Sequence, residues 1–490
     1  MNYTKLINDW EKEYNIFEIC RIDDFEFYPY IRRDFINNLI AALNNEKQDY
    51  FSDGGEGENQ VKLFLRLMKR SEKTSLKNVD LLILNHPRRI KGENGLYYCP
   101  FTDFLTDMYP NSISLERCYV NHTHIEPAYT KNLIYVDRAM ALSYMYRVLS
   151  EKFKPGKYRA IRKRAEEILD KPLDTLSASL DVSIKKKALY ERITAIYYFY
   201  RVRRKIYLKL LKQLKPKAIV EVIGRSVDAK LINELAKDLK IPTVEIQHSI
   251  MIPPSIYPDG VHEKQYVDYA FTYSEYWNEY VNPPIPKENF FAVGQPHFEN
   301  QLAKYKDKIH RDKNRITIVF ISGLVYGHDL SVLAVNLRKL TDPEKINIIY
   351  KLHPIEFSTW KEMYPELAAS SVTVLDTTEK GVYDVFAESN AQIGVKSTAL
   401  YEGIGFGLKT FIYDHPLAEE MEQVYKGRYA TLVKTAEELL AALEKEDDGK
   451  EASSTSIAEH FWKPNAKENV KRLLDELIKN GKIETKKERQ

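Results

Sequence analysis

Short apolar segments alternate with helix-like segments through most of the chain, and this alternation restricts the fold more than any other feature. The clearest case lies at 217–249, where strand-like KAIVEVIG, helix-like SVDAKLINELAKDLK and strand-like IPTVEIQHS follow one another. Strands and helices that alternate in this way are typical of a parallel sheet covered by helices on both faces. The sequence therefore predicts an α/β fold.

A second alternating set begins after the charged segment 303–314, which lacks an apolar stripe and is interpreted as a hinge or linker. The strands expected in this set are ITIVFIS (316–322), INIIYKL (346–352), SVTVLD (371–376), AQIGV (391–395), KTFIYD (409–414) and YATLVK (429–434). Two such sets predict two Rossmann-like domains that face each other across a cleft. Clefts between domains commonly hold ligands.

The predicted organisation has a helical start, one long helical insertion and a final amphipathic helix. Its boundaries are 1–60 for the helical N-terminal segment, 61–302 for the first Rossmann-like domain with its insertion at 138–216, 303–314 for the hinge, 315–445 for the second Rossmann-like domain, 446–481 for a loose loop and the final helix, and 482–490 for a tail. A chain of 490 residues is long enough for two or more such domains.

The composition is that of a soluble globular protein, and its formal net charge is only +3. No run of about 18 apolar residues occurs, which predicts that no helix spans a membrane. The N-terminus carries acidic residues and has no apolar core, so a signal peptide is not expected. Cys20, Cys99 and Cys118 are scattered along the chain, which favours a reducing cytoplasm.

Polar residues end several of the predicted strands, and the carboxyl ends of strands are where open α/β sheets bind ligands. The segments concerned are EIQHS (245–249), ISGLVYG (321–327), KLHP (351–354) and GVKSTALYEGIGFG (394–407). The histidines of two of them, His248 and His353, are candidates for ligand contact. A histidine at a strand end can equally have a purely structural hydrogen-bonding role.

The segment at 394–407 is the most informative of the four. A strand runs into Lys396, Ser397 and Thr398, and a helix is expected to start there. A helix N-terminus with a lysine and two hydroxyls favours an anion, and Glu402 could accept hydrogen bonds from ribose hydroxyls. The alternative is a helix that is capped only for its own stability. The glycines expected to let this helix pack closely or end are Gly403, Gly405 and Gly407.

Weaker candidates lie elsewhere. Ser322 and Gly323 follow a predicted strand, and the glycine would allow close backbone approach to a phosphate, although the P-loop spacing is missing. The run SDGGEGE, with Asp53, is either a solvated loop or an active-site loop that carries a general base. The cluster HTHIE at 122–126 has poor spacing for a metal, so no metal site is predicted.

Five segments in this order resemble the GT-B glycosyltransferases of bacterial envelope and capsular polysaccharide synthesis. They are QHS (247–249), DYAFTYSEYW, FFAVGQPHFEN, YKLHP and VKSTALYEGIGFGLKTFIYD. The most similar members are the sialyl- and polysialyltransferases with an HP motif, the Kdo transferases and the CDP-glycerol glycerophosphotransferases. The resemblance covers roughly residues 215–420.

The resemblance implies a transferase that moves a sugar from a nucleotide-activated donor, with a CMP-sugar favoured over a CDP- or UDP-linked one, to a cell-envelope glycan or lipid-linked oligosaccharide. The first domain would bind the acceptor and the second the donor. Family members of this kind usually need no metal or other cofactor for donor binding. The residues that would form the donor site are Ser322, Gly323, Lys351, His353, Pro354, Lys396, Ser397, Thr398 and Glu402.

The resemblance leaves two candidates for the general base. His248 falls where the teichoic acid enzymes carry a QHG histidine, although this chain has QHS. Asp53 falls in SDGG, which retains part of the acidic motif of the HP-type sialyltransferases. Two other functional classes stay open, namely a sugar-nucleotide 2-epimerase and a non-catalytic glycan-binding or export protein.

Residues 151–216 are strongly basic, with nineteen Lys/Arg, seven Asp/Glu and hence a net charge of +12. Within them, 196–213 interleaves aromatic, apolar and basic residues. Such a helix suits an anionic membrane surface, and the protein is therefore expected on the inner membrane face. It could instead grip an acidic polymer or pack in a core with its charges solvated. No nucleic-acid-binding module is recognised.

Overall fold

The computed structural model describes residues 3–43, 60–70, 73–118, 122–250, 264–280, 284–312, 314–445 and 454–485. The candidate base Asp53 lies outside these described residues. The chain forms two compact units. Unit 1 comprises Met1–Thr272, Tyr280–Phe291 and Glu468–Gln490, and unit 2 comprises Tyr273–Glu279 and Ala292–Lys467.

The secondary structure follows the predicted alternation. The helices are α1 (Tyr3–Glu13), α2 (Ile16–Ile19), α3 (Tyr28–Leu43), α4 (Gln60–Leu67), α5 (Asp103–Met108), α6 (Asp137–Phe153), α7 (Pro155–Leu180), α8 (Lys186–Leu214), α9 (Val227–Asp238), α10 (Glu275–Tyr280), α11 (Pro296–Tyr305), α12 (Gly327–Leu340), α13 (Trp360–Met363), α14 (Pro365–Ala368), α15 (Val382–Glu388), α16 (Thr398–Gly405), α17 (Glu422–Lys426), α18 (Ala436–Glu444), α19 (Ser454–Phe461) and α20 (Ala466–Asn480). The strands are β1 (Arg21–Ile22), β2 (Phe25–Glu26), β3 (Leu81–Asn85), β4 (Ile90–Lys91), β5 (Tyr97–Tyr98), β6 (Ile113–Glu116), β7 (Leu133–Tyr135), β8 (Ala218–Glu221), β9 (Thr243–Ile246), β10 (Tyr269–Thr272), β11 (Phe290–Ala292), β12 (Ile316–Ile321), β13 (Ile346–Lys351), β14 (Thr373–Leu375), β15 (Ala391–Gly394), β16 (Lys409–Tyr413) and β17 (Thr431–Val433).

Unit 1 is built on a seven-stranded sheet with the order β11-β10-β9-β8-β3-β6-β7. From β10 to β7 every neighbouring pair is parallel. Strands β3, β8 and β9 are buried along their whole length. The apolar run of β3 predicts this, whereas β8 and β9 each also bury a glutamate, Glu221 and Glu245. The strand order reverses between β3 and β8, which makes this pair the switch point of unit 1.

Unit 2 is built on a six-stranded parallel sheet with the order β14-β13-β12-β15-β16-β17. Numbered along the chain within this unit, the strands run 3-2-1-4-5-6, which is the doubly wound order of dinucleotide-binding folds. The order reverses between β12 and β15. The prediction of two Rossmann-like α/β sheets is confirmed.

Several predicted segments can be placed directly. The helical insertion is formed by α6, α7 and α8, and α20 is the predicted final helix. The segment 446–481, expected to begin as a loose loop, contains a helix from Ser454 onward, within the residues described. The charged segment 303–314 falls in unit 2. There His310 donates its backbone N–H to the carbonyl of Ala387 at 3.0 Å.

The aromatic residues of α8 are buried, which corrects the expectation that they face a membrane. Tyr197, Tyr198 and Tyr200 are each 2% exposed. The phenol of Tyr200 donates to a carboxylate oxygen of Glu234 at 2.8 Å. Because α8 packs against α6, α7 and α9, this face of the helix has no access to solvent. The alternative of a core helix with solvated charges is the one that the structure shows.

Candidate functional site

Two of the predicted donor-site segments meet at the switch point of unit 2. β12 ends at Ile321 and leads into Ser322 and Gly323, and its neighbour β15 ends at Gly394 and leads into Lys396. The Tyr326 phenol bridges the two loops, because it donates to the carbonyl of Lys396 at 2.6 Å. The structure therefore places these two segments side by side at the carboxyl edge of the sheet.

The N-terminus of α16 is capped as the sequence predicts. Ser397 has an extended backbone, with φ −171° and ψ 147°, and its Oγ accepts the N–H of Ala399 at 3.1 Å. Thr398 begins the helix and is half-buried. The first-turn N–H groups of α16 thus lie at the switch point, where an anion would be stabilised by them and by the helix dipole.

Glycines set how closely α16 lies on the sheet and where it ends. A Cβ on Gly403 would lie 2.1 Å from Oε1 of the buried Gln392 on β15, so this position has no room for a side chain. Gly407 has φ +75°, and the N–H of Leu408 bonds the carbonyl of Gly403 at 3.0 Å. This is the glycine-terminated helix end that the sequence suggested. Close packing at Gly403 and the helix end at Gly407 therefore hold α16, and with it the N-terminus of the helix, in a defined position.

Lys396 is engaged in an ion pair next to this helix. Its Nζ lies 2.5 Å from Oε1 of Glu420, and both side chains are largely buried. The other oxygen of Glu420 is buried and has no hydrogen-bond partner within the described part of the chain. A phosphate at the helix N-terminus would thus compete with Glu420 for Lys396.

The dipeptide His353-Pro354 follows β13 and begins a tight turn. Pro354 starts a 3₁₀ turn that runs to Glu356, and Nδ1 of His353 accepts the N–H of Ile355 at 3.3 Å. Oε2 of Glu356 accepts the N–H of His353 in return, at 2.7 Å. With Nδ1 acting as acceptor, the neutral ring carries its proton on Nε2. His353 is therefore a fixed, exposed hydrogen-bond donor beside the switch point.

Glu356 is fully buried beneath this edge of the sheet, with 0% exposure, and accepts hydrogen bonds from several groups around it. Its Oε1 accepts from the Ser322 hydroxyl at 3.0 Å and from the Tyr364 phenol. The Ser322 hydroxyl is also 3.2 Å from the phenol of Tyr350. Ser322 is thus directed into the protein interior, where it ties the end of β12 to the turn that holds His353.

The remaining two predicted site residues make other contacts. Lys351 ends β13 and donates to the carbonyl of Thr377 at 3.3 Å. Burial lowers the pKa of its amine. Glu402 lies inside α16, and its Oε1 accepts the phenol of Tyr383 on α15 at 3.1 Å. Neither contact involves the loops at the switch point.

A second histidine at this edge, His415, is not among the predicted site residues. It follows β16, the outer neighbour of β15, just as His353 follows β13, the outer neighbour of β12. Its Nδ1 accepts the N–H of Leu417 at 3.1 Å, and its Nε2 is 3.7 Å from a carboxylate oxygen of Asp329. The signal was available in the sequence, because both histidines stand before a proline at the end of a predicted strand.

Unit 1 also has a histidine that stands before a proline at the end of a strand. His86 follows β3 and precedes a proline, and its Nδ1 accepts the N–H of Arg88 at 2.9 Å. The ring centroids of His86 and His248 are 5.4 Å apart. The ring of Phe101 lies 5.3 Å from His86 and 5.9 Å from His248. The candidate base His248 thus belongs to a pair of histidines at the carboxyl edge of the unit 1 sheet.

Both histidines are kept neutral. Burial, together with the charges of Arg225, Arg33 and Arg117, lowers the pKa of His248 to about 4. Burial and the neighbouring His248 lower the pKa of His86 to about 3. The backbone of Val222 acts in the opposite direction and raises the pKa of His248, but its effect is smaller. At neutral pH each ring can therefore accept a proton.

Cations surround this histidine pair because of the strand order. Arg225 follows β8 and Arg117 follows β6, while Arg88 follows the His-Pro turn at the end of β3. Each of the four neighbouring strands β9, β8, β3 and β6 is thus followed, within about four residues, by a histidine or an arginine. Neither Arg117 nor Arg225 makes an ion pair with any residue that the structure describes. The edge of unit 1 therefore has the electrostatic character of an anion site.

A buried carboxyl pair lies just inside this edge. Glu221 on β8 and Glu245 on β9 are register partners, and both are buried. Tyr266 donates to Glu245 at 2.8 Å, and Asn233 donates to Glu221 at 3.0 Å. Burial and the adjacent Glu245 raise the pKa of Glu221 to about 8. The pair therefore holds a proton at neutral pH.

The Glu221→Gln substitution should stabilise the protein increasingly as the pH rises from 5 to 8. In this range the unfolded chain has an ionised Glu221 while the folded chain keeps its proton. Folding then takes up a proton, so the free energy of unfolding falls as the pH rises. Glutamine does not ionise, so the variant avoids this pH-dependent loss of stability. The loss in the wild type amounts to about 1.4 kcal/mol of unfolding free energy for each unit by which folding raises the pKa.

Urea unfolding at pH 5 and pH 8 measures the difference. Glu191→Gln, at an exposed position of α8, is the control and should shift the wild-type values little at either pH. An identical effect of Glu221→Gln at both pH values would show that the carboxyl pair shares no proton.

The HTHIE cluster is structural. Nε2 of His124 is 2.8 Å from Asp137, and Nδ1 is 3.5 Å from Glu116. Burial lowers the pKa of His124, but its hydrogen bond to the Asp137 carboxylate and the neighbouring Glu116 carboxylate raise it to about 9. Within the described ranges, no group of three or more acidic, histidine or cysteine side chains could hold a metal ion.

No family model matches the sequence, and no curated protein matches it. Among solved structures, the wall teichoic acid polymerase TagF gives a TM-score of 0.44 at 10% identity, over 92% of this chain and 98% of that chain. UDP-GlcNAc 2-epimerase from Neisseria meningitidis, bound to UDP-GlcNAc, gives 0.42 at 14% identity, over 63% and 89%. MurG from Acinetobacter baumannii gives 0.39 at 15% identity, over 57% and 79%.

Proposed function

We propose that this chain is a GT-B glycosyltransferase that moves a sugar from a nucleotide-activated donor, with a CMP-sugar favoured over a CDP- or UDP-linked one, to a cell-envelope glycan. The observation that carries the proposal is the switch point of unit 2. There the N-terminus of α16, the Ser322-Gly323 loop and the His353 donor converge at the carboxyl ends of three neighbouring strands. Such an edge suits a nucleotide and its phosphates.

In the proposed reaction, negative charge builds up on the phosphate as the nucleotide leaves. The N–H groups of α16 and Nε2–H of His353 would stabilise that charge. Lys396 would turn from Glu420 to the phosphate. Ser322 and Glu356 act through His353 and are positioning residues. Glu402 is proposed to bind the ribose, and no metal is required for these steps.

The acceptor is proposed to bind at the edge of unit 1, where His248 would take the proton of the attacking hydroxyl. The surrounding arginines favour an acceptor that carries phosphate or carboxylate groups. An anionic group among these arginines would offset their charge and so raise the pKa of His248 toward neutrality. Asp53 is the competing candidate for this role, and the Asp53→Asn variant distinguishes the two.

A thermal-shift screen with CMP, CDP, UDP, GDP and their sugars tests the donor site. A ligand that binds the folded state alone raises the melting temperature. We expect one nucleotide and its sugar conjugates to do so, with CMP favoured. If none of them shifts the melting temperature, unit 2 is not a nucleotide-sugar site.

Two substitutions of His353 separate its structural role from nucleotide contact. In His353→Asn the amide oxygen can still accept the N–H of Ile355, as Nδ1 does, but no donor reaches the position of Nε2. We expect the melting temperature to be nearly unchanged and nucleotide affinity to fall on the order of tenfold or more, since a lost hydrogen bond costs about 1–3 kcal/mol.

In His353→Gln the amide nitrogen can instead reach the position of Nε2, so more of the affinity should remain. Titration calorimetry with the nucleotide found in the screen measures both variants, and His310→Ala, at an exposed histidine of unit 2, serves as control. Equal affinity of His353→Asn and wild type would remove His353 from the site.

A further inference from the structure

Helix α6 exposes an apolar stripe to solvent. Met145, Val148, Leu149 and Phe153 are spaced i, i+3, i+4 and i+8, which places them on one face, here called the α6 stripe. Leu149 is 44% exposed and Phe153 is 68% exposed. The opposite face is occupied, since Ser150 is buried and α6 packs against α8. An apolar helical stripe that faces solvent marks an interaction surface.

Cations surround the α6 stripe. Residues 145–160 contain five Lys/Arg and a single acid, Glu151. Four of these cations are exposed and form no ion pair with any residue that the structure describes: Lys152, Lys154, Lys157 and Arg159. Nζ of Lys152 lies 5.5 Å from the centroid of the Phe153 ring. The exposed apolar side chains of the α6 stripe thus lie beside predominantly positive charge.

The neighbouring helix α4 has the same character. It packs against α6, and its Val61 and Leu65, four residues apart, are 66% and 56% exposed. Residues 60–70 contain four Lys/Arg and no acid, and one of the four, Arg70, is paired with Glu126. Two adjacent helices thus present exposed apolar side chains among cations.

We propose that α4, the C-terminal half of α6 and the start of α7 form a docking surface for an anionic lipid bilayer. Aromatic and aliphatic side chains on an exposed helix face enter the boundary between headgroups and acyl chains, while lysines and arginines bind anionic headgroups. The excess of cations over the two acids at this surface, Glu151 and the Arg70-paired Glu126, makes the surface complementary to anionic lipid. Within the described residues, no helix is long and apolar enough to cross a membrane.

This surface is distinct from α8, which the sequence suggested. In α8 the aromatic residues are buried, and exposed cations such as Lys205 and Lys209 remain without exposed aromatic residues beside them. If charge alone determined membrane binding, α8 and the α6 surface would be equally good candidates. Only the α6 surface combines exposed cations with an exposed apolar stripe, so membrane binding is assigned to α6 and its neighbours.

Flotation of the full chain with vesicles tests the proposal. The wild type should float with vesicles of phosphatidylglycerol and phosphatidylcholine, and remain at the bottom with phosphatidylcholine alone. Lys154→Glu with Lys157→Glu should lower the partition coefficient by at least about tenfold, because each cation contributes about 1 kcal/mol at an anionic surface. Leu149→Ser with Phe153→Ser should abolish the binding that persists at physiological salt, where charge is screened.

The matched control is Lys205→Glu with Lys209→Glu, which changes the net charge equally on α8 and should float like the wild type. Equal losses in the two pairs, or no flotation of the wild type at low salt, would overturn the proposal. So would concentration-dependent self-association that the serine pair abolishes, because the stripe would then join two copies of the chain. Flotation requires no transfer activity, so its result is independent of the proposed function.

Discussion

Replacing His248 by alanine is expected to lower turnover by on the order of 10²–10⁴-fold, the usual contribution of a positioned general base. Donor binding should be unchanged, because the proposed nucleotide site belongs to unit 2. The pKa of about 4 keeps His248 unprotonated down to mildly acidic pH. The wild-type kcat/KM should therefore be level between about pH 6 and 8 and fall below about pH 5.

The His248→Ala variant should lose this acid limb, which a merely structural histidine would not cause. His310→Ala is the control for histidine removal and should retain wild-type turnover. If Asp53→Asn abolishes turnover while His248→Ala retains it, the base is Asp53, and the role assigned to His248 is wrong.

Replacing Glu356 by alanine is expected to give the largest loss of stability in unit 2. Its carboxylate accepts from His353 N–H at 2.7 Å, from Ser322 at 3.0 Å and from Tyr364. Each buried donor left without a partner costs about 1–3 kcal/mol, so the free energy of unfolding should fall by roughly 3 kcal/mol or more.

Thermal and urea unfolding measure this loss. Glu356→Gln retains the shape and one carbonyl oxygen, so its loss should be smaller. Glu362→Ala, at an exposed position six residues away, should unfold like the wild type. If Glu356→Ala were as stable as Glu362→Ala, the buried network would not hold the His353 turn in place.

The two large sheets could be predicted from sequence because most of their strands are short, mainly apolar runs bounded by polar residues. Residues 317–321, for example, form one continuous buried stretch of β12. The cap at Ser397 and the helix end at Gly407 were likewise local, since each depends on residues within one helical turn. Local chemistry of this kind is present in the sequence itself.

Other features depend on contacts between distant residues. The face of α8 that becomes buried is decided by α6, α7 and α9, and aromatic residues interleaved with cations suit a core and a membrane equally well. The pairing of His86 with His248 joins positions 162 residues apart through the strand order. The Ser322 hydroxyl donates to Glu356, 34 residues later in the chain, at 3.0 Å, and no local pattern in the sequence indicates this contact.

Acceptor-dependent release of nucleotide tests the proposed transferase most directly. The donor found in the thermal-shift screen, labelled in its sugar, is incubated with the protein alone and with phosphate- or carboxylate-bearing envelope glycans. The proposal predicts that nucleotide is released, and label enters the glycan, only when acceptor is present. Conversion of the donor sugar to its epimer without acceptor, or a donor that is bound but unchanged under every condition, would contradict it.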